Sequence, residues 1–226
     1  MDYTNIYKGF FKSRPNRFIA NIEINGRVEV CHVKNTGRCR ELLIPNAAVF
    51  VQKSDNPNRK TAFDLIAVYK DDRLINMDSQ IPNKVFNEWV NKSNYFKNVT
   101  VIKPEYTLGN SRIDFYIEAN KEKILAEIKG VTLEVNGIVR FPDAPTLRGL
   151  KHIEELCDAV DNGYTAYVVF IVQMSNVKYF TPNYTTHMEF GQALKKAQAK
   201  GVHILALACE VTPSSITAIE EIPVVL

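Results

Sequence analysis

The chain is sparing with cysteine and tryptophan and has no long apolar run. Cys31, Cys39, Cys157 and Cys209 are its four cysteines in 226 residues. That density excludes a disulfide scaffold, and the spacing from Cys31 to Cys39 is too loose for a zinc knuckle. His32 does not help, because neighbours on a strand point to opposite faces. With no stretch of about 18 apolar residues, a conventional membrane span is excluded. The N-terminal MDYTNIYKGFFKSRPNRF has no apolar core followed by a small-residue cleavage site. No signal peptide is therefore expected, and the cytoplasm is the expected compartment. A Gly-rich phosphate fingerprint, a Gly-x-Ser-x-Gly elbow and a helix-turn-helix are also missing.

What is present is an ordinary globular composition, 46% hydrophobic and 23% charged. The charge is unevenly placed. Residues 1–60 hold 11 basic and 5 acidic residues, and residues 61–226 hold 17 and 20. A basic N-terminal part suits a polyanionic partner, although a solvated surface explains it equally well.

The first third reads as short strands. Phe18–Glu23 and Arg27–His32 flank Asn25-Gly26, a hairpin dipeptide. Ala47–Gln52, Phe63–Tyr69 and Leu74–Met77 follow. Five antiparallel strands in so short a span predict a small closed barrel, with an open sheet as the rival. The texture changes near residue 80, which divides the chain into 1–80 and 81–226. Beyond it the pattern predicts a helix over Val85–Val90 and strands at Thr100–Lys103, Ser111–Ile117 and Ile124–Ile128. A long loop is expected from Thr132 to Pro145 and an amphipathic helix from Thr146 to Val160. Ala166–Met174 reads as a strand buried on both faces. A helix over Phe190–Ala199 and a strand at His203–Ala208 complete an α/β unit.

The chemistry-bearing pattern is Asp114 in one strand and Glu127-Ile128-Lys129 at the end of the next. Period-two alternation puts Ile113 and Phe115 on one face and Arg112, Asp114 and Tyr116 on the other. It also places Glu127 and Lys129 together. If the strands pair, two carboxylates and a lysine converge. A divalent cation, Mg2+ or Mn2+, relieves the repulsion between such carboxylates and can activate water at a phosphate. Lys129 would orient the attacking water or stabilise charge on phosphorus. Glu105 is a candidate third carboxylate. The plain alternative is a set of solvated polar positions on edge strands.

Further candidates surround this set. Arg148 and Lys151 share the polar side of the amphipathic helix with His152 and Glu155, and with the helix N-terminus they suit phosphate. Thr146 or Asp143 would cap that helix. In the first unit, Arg14, Arg17, His32, Asn35, Thr36, Arg38, Arg40, Arg59 and Lys60 form a polar, basic set suited to a nucleic-acid backbone. Phe10, Phe11 and Phe18 are either stacking platforms or core. His187 reads as a surface or helix-start residue.

With these motifs in place, the chain resembles the sugar fermentation stimulation protein (SfsA-like) family of bacteria and archaea. The resemblance runs through Arg17-Phe18, His32, Asn35-Thr36-Gly37, Pro45, Arg59-Lys60, Asn76 and Pro82-Asn83. It continues through Ser111-Arg112-Ile113-Asp114-Phe115, Glu127-Ile128-Lys129, Phe141-Pro142-Asp143-Ala144, Thr146, Arg148-Gly149, Lys151-His152 and Phe180-Thr181-Pro182. It implies an N-terminal OB-fold-like barrel and a C-terminal restriction-endonuclease-like (PD-(D/E)XK-type) mixed sheet flanked by helices. It also implies DNA binding, a link to sugar and especially maltose utilisation, and a nuclease-type site at Asp114, Glu127 and Lys129. One departure is His187, where the family usually carries an aspartate. Three functions stand at this point: a metal-dependent nuclease on DNA or RNA, a non-catalytic regulatory binder with a nuclease-like fold, and a sugar-binding or purely structural protein. A homodimer is compatible with any of them, and no membrane partner is expected.

Overall fold

The computed structural model describes residues 1–35, 37–109 and 111–226. Its N-terminal unit is a barrel of β1 (Ile6–Asn16), β2 (Ile19–Ile24), β3 (Arg27–Val33), β4 (Ala48–Lys53) and β5 (Phe63–Lys70). The strand order is β3-β2-β1-β4-β5, and β5 closes onto β3 in parallel, with His32 opposite Asp64. Five strands close the barrel, but not the five expected from the sequence. β6 (Arg73–Asn76) lies outside it, hydrogen-bonded to β5. The missing member is β1, whose register slips twice along β2, so its side chains never alternate cleanly. Its first half pairs with β4 and its second with β2, and Gly9 sits in the first half. A Cβ on Gly9 would lie 2.7 Å from the Glu23 carbonyl oxygen. Asn25 (φ 50°) and Gly26 (φ 76°) both take the left-handed conformation of a type I′ turn between β2 and β3.

The C-terminal unit contains α1 (Pro82–Lys92), β7 (Val99–Leu108), β8 (Ser111–Ala119), β9 (Glu122–Val131), β10 (Leu133–Val135) and β11 (Ile138–Phe141). It continues with α2 (Leu147–Asp161), β12 (Thr165–Val172), β13 (Tyr179–Pro182), α3 (Met188–Ala199), β14 (His203–Thr212) and β15 (Ser215–Glu221). The main sheet runs β15-β14-β12-β9-β8-β7, parallel in its centre and antiparallel at both edges. β12 is central and buried, as its apolar run requires. Val168 and Phe170 join the core shared with Ile153, Leu156 and Leu194 of α2 and α3. Val169 and Ile171 join the core shared with Val85 and Phe86 of α1. The expected loop from 132 to 145 instead contains β10 and β11, turning at Asn136 (φ 56°) and Gly137 (φ 82°). β11 pairs with β13 in a second, three-stranded sheet.

The two units are joined by buried polar contacts. Gln173, just past β12, donates from Nε2 to Asn76 Oδ1 (2.9 Å), Asn76 O (3.2 Å) and Asp78 O (3.1 Å). Residues 1–3 cross to the C-terminal unit, where Tyr3 donates to Ser214 O and Met1 O accepts from Ile216 N. Lys70 and Arg73 of the barrel side hold Glu134 of β10 at 2.7 and 3.0 Å.

Burial pushes the Glu134 carboxyl up, but the hydrogen bonds from Lys70 and Gly137 and the Lys70 charge outweigh it and hold it below the usual glutamate range. A depressed folded-state value stabilises above the unfolded value, near 4.3, and that contribution is lost as pH falls through the folded value. Glu134→Gln is therefore expected to cost about 2 kcal/mol at neutral pH and less in acid. The stabilities of the two proteins should converge below about pH 4 in denaturant titrations. A constant difference across pH would contradict this assignment.

Candidate active site

β8 and β9 pair from Ala119↔Glu122 to Phe115↔Ala126, and the ladder ends there. At the next position Asp114 Oδ2 accepts from the Ile128 backbone N–H at 2.8 Å. A side chain thus takes the amide of the neighbouring strand beyond the last paired position. Ile113 and Phe115 consequently enter cores on opposite sides of the sheet, not the shared face expected from strict alternation. The edge strand is irregular at the same level. Pro104 pairs with Phe115 and Tyr106 with Ile113, while Glu105 between them adopts φ 54°.

Around this break lies a cleft of about 720 Å³, bordered by Asp114, Glu127, Lys129, Asn83, Glu105, Arg148 and His152. Asn83, near the start of α1, donates to Asp114 Oδ1 at 3.0 Å. Glu127 is 3% exposed, and its Oε1 accepts from Lys129 Nζ at 2.5 Å. The same oxygen meets His152 Nδ1. Arg148 Nε, which can only donate, points at His152 Nε2 (3.3 Å). Lys129 Nζ also lies 3.3 Å from His152 Nδ1, so Glu127, Lys129 and His152 form one cluster of polar contacts. Glu127 Oε2 is buried without a hydrogen-bond partner among the described residues.

The carboxylates are electrostatically unequal. Burial, and then the Glu127 charge, push Asp114 up, against the Ile128 amide and Asn83. Burial also opposes ionisation of Glu127, but His152 and Lys129 together outweigh it and hold its pKa down. An ionised Glu127 beside a reluctant Asp114 is a pair that a cation would relieve.

Among the described residues no cluster of three His, Cys, Asp or Glu is arranged to hold a metal. The donor set is two carboxylates, one with a bare buried oxygen. That fits a divalent ion such as Mg2+, which retains several waters and takes only one or two protein carboxylates. Glu105, the candidate third carboxylate, borders the cleft, but its 63% exposed side chain pairs with Arg112.

The other sequence-predicted residues separate by position. Arg148 faces the cleft. Lys151 lies outside it, 67% exposed and paired with Glu155 at 3.4 Å. Arg14 donates to four carbonyls, those of Arg17, Asn35, Gly37 and Arg38, and so shapes the loop after β3. Arg17, Arg38 and Arg40 border a shallow surface pocket beside it. Arg59 holds Asp64 through two bonds of 2.6 and 2.9 Å, and His32 Nδ1 lies 3.2 Å from the same carboxylate. Lys34 bridges Asp64 (3.6 Å) and Asp78 (3.1 Å). These groups form an internal ion network rather than an open basic face. Asn35 accepts from Gly37 N, Lys60 is exposed, and Thr36 lies outside the described residues. Phe11 is core, whereas Phe10 and Phe18 are exposed.

Thr146, not Asp143, caps α2, accepting from Gly149 N at 2.9 Å. His187 does begin α3, yet it is buried rather than at the surface, and its Nδ1 meets the Thr146 N–H instead of capping its own helix. The site residues absent from the sequence candidates are Asn83 and His152. His152 carried a signal, since it stands four residues after Arg148 on the polar side of an amphipathic helix.

Residues 13–77 match the family described as the SfsA N-terminal OB domain, and residues 80–215 match the sugar fermentation stimulation protein RE domain. The sugar fermentation stimulation protein homolog of Clostridium beijerinckii is 60% identical over 226 residues, covering all of both chains. That of Desulfitobacterium hafniense is 62% identical over 218 residues, covering 96% of this chain and 95% of its own. The solved structure of Pyrococcus furiosus SfsA in complex with Ca2+ superposes with a TM-score of 0.90 at 29% identity, covering 100% of this chain and 98% of that one. The barrel is thus an OB fold and the larger unit a restriction-endonuclease-like mixed sheet flanked by helices. The chain belongs to the sugar fermentation stimulation protein (SfsA) family.

Proposed function

We propose that the protein binds DNA and carries a divalent-metal-dependent phosphodiesterase site formed by Asp114, Glu127 and Lys129. The observation that carries this reading is the bare, buried Oε2 of Glu127 beside Asp114 at the end of the β8–β9 ladder. The Pyrococcus furiosus relative forms a complex with Ca2+, which supports divalent-ion binding by this chain, and Mg2+ or Mn2+ is the proposed working ion. When bound, the ion supplies charge to a phosphate oxygen and lowers the pKa of water. Asp114 and Glu127 hold it, Asn83 fixes one Asp114 oxygen, and His152 fixes Glu127. Lys129 lines the cleft and donates to Glu127 Oε1; from there it positions the attacking water and stabilises charge on phosphorus. Attack by water breaks the P–O3′ bond and leaves a 5′-phosphate and a 3′-hydroxyl.

Metal binding is testable without turnover. Calorimetric titration of Mn2+ into wild type should give a saturable site, weakened at least about tenfold in Asp114→Asn and in Glu127→Gln. Mn2+ should raise the melting temperature of wild type alone. Equal heats and equal melting shifts in all three proteins would contradict the site.

A further inference from the structure

The geometry points to a second contact for the nucleic-acid strand, a phosphodiester pocket between the barrel and the C-terminal unit with Arg140 as its cation. This rests on the nucleic-acid reading above but not on cleavage. The pocket has a volume of about 170 Å³ and is bordered by Asn35 and Gly37 from the barrel side and by Arg140 and Asp143 from the other. Ser79 borders both this pocket and the catalytic cleft, so the two lie side by side.

Arg140 is the only cation lining the pocket among the described residues. Its Nε is buried without a hydrogen-bond partner there. Arg14 and Arg73 also leave Nε bare, but they engage their terminal nitrogens with carbonyls or a carboxylate. Arg140 makes no such bond among the described residues. A guanidinium taken partly out of water without a partner is costly, and an anion that fills the pocket removes the cost. Asp143, the acid lining the pocket, is turned to the barrel loop, where its Oδ2 accepts from Arg38 N at 3.2 Å.

Glycine at two lining positions lets neighbouring side chains close the walls. A Cβ on Gly37 would collide with Asp143 Oδ2, and one on Gly130 would lie 2.6 Å from Gln173 Oε1. A space of this size beside the cleft, lined by one guanidinium without a hydrogen-bond partner among the described residues, suits a single phosphate group. Guanidinium binds phosphate through two parallel hydrogen bonds. The shared border at Ser79 puts the pocket next to the cleft, which makes the occupant a phosphodiester of the strand that lies there.

Fluorescence anisotropy of a labelled single-stranded oligothymidylate, in EDTA to prevent cleavage, tests this. Arg140→Gln should weaken binding about tenfold and lower the slope of log affinity against log salt by about 0.7. Lys123→Gln, the same charge change at an exposed position of β9, should match wild type. Arg140→Lys keeps the charge and should fall between them, which covers any folding defect in the glutamine variant. Equal affinity and slope in Arg140→Gln and Lys123→Gln would overturn the pocket while leaving the nucleic-acid reading intact. Stabilisation by inorganic phosphate that depends on Arg140, with no change in oligonucleotide affinity, would reassign the pocket to free phosphate and overturn the proposal. Failure of wild type to bind any nucleic acid would remove both readings together.

Discussion

Asp114→Ala and Glu127→Ala are each expected to lower metal-dependent cleavage about 1,000-fold or more, equivalent to roughly 4 kcal/mol of lost transition-state stabilisation. Nucleic-acid binding should persist, because removing either carboxylate reduces repulsion toward a polyanion. Lys129→Met should behave differently. Its ammonium holds no metal, so Mn2+ affinity should change little while cleavage falls about 100-fold to 1,000-fold. Lys129 also donates to Glu127 Oε1, but His152 contacts that same oxygen and keeps the carboxylate in place. A Lys129→Met protein that lost metal and cleavage in equal measure would make Lys129 a support for Glu127 rather than a participant in the reaction.

The second large effect is on stability. Gln173→Leu keeps the volume of the side chain but removes the amide that serves Asn76 Oδ1, Asn76 O and Asp78 O. All three residues are nearly inaccessible to water, Gln173 at 1% and Asn76 and Asp78 at 1% and 2%. Asn76 Oδ1 keeps the Asp78 N–H and Asp78 O keeps the Ile81 N–H, so the cost is the loss of three buried hydrogen bonds, about 2–4 kcal/mol. For a chain of this length that is roughly 5–15 °C in melting temperature. The consequence reaches the site as well. Asp78 also anchors Lys34, and Ser79, next along the chain, borders both the cleft and the neighbouring pocket. A melting temperature within about 2 °C of wild type would show that the junction does not depend on this amide.

Local periodicity explains what could be read in advance. Glu127 and Lys129 share a strand face by the period-two rule, and Asp114 meets them because the two strands are neighbours. α2 was legible from its apolar stripe, and β12 from an unbroken apolar run. β1 was not legible, since two register slips and Pro15 hide its alternation. The β10–β11 hairpin carried its Asn136-Gly137 signal inside a stretch otherwise poor in strand pattern. The basic residues of the barrel show a different limit. Arg14, His32 and Arg59 look like a polyanion surface in sequence, yet their partners are carbonyls and carboxylates brought together only by barrel closure. The burial of His152 against Glu127 is likewise tertiary, because it requires α2 to lie against the end of β9.

The central claim is that this site cuts phosphodiester bonds with a divalent ion. The most direct measurement is cleavage of end-labelled single-stranded DNA, duplex DNA and RNA in Mg2+ or Mn2+, comparing wild type with Glu127→Ala and Asp114→Ala prepared identically. The account predicts cutting by wild type that disappears with EDTA and in both variants while binding remains. Binding without cutting on every substrate, or equal cutting by all three proteins, would contradict it.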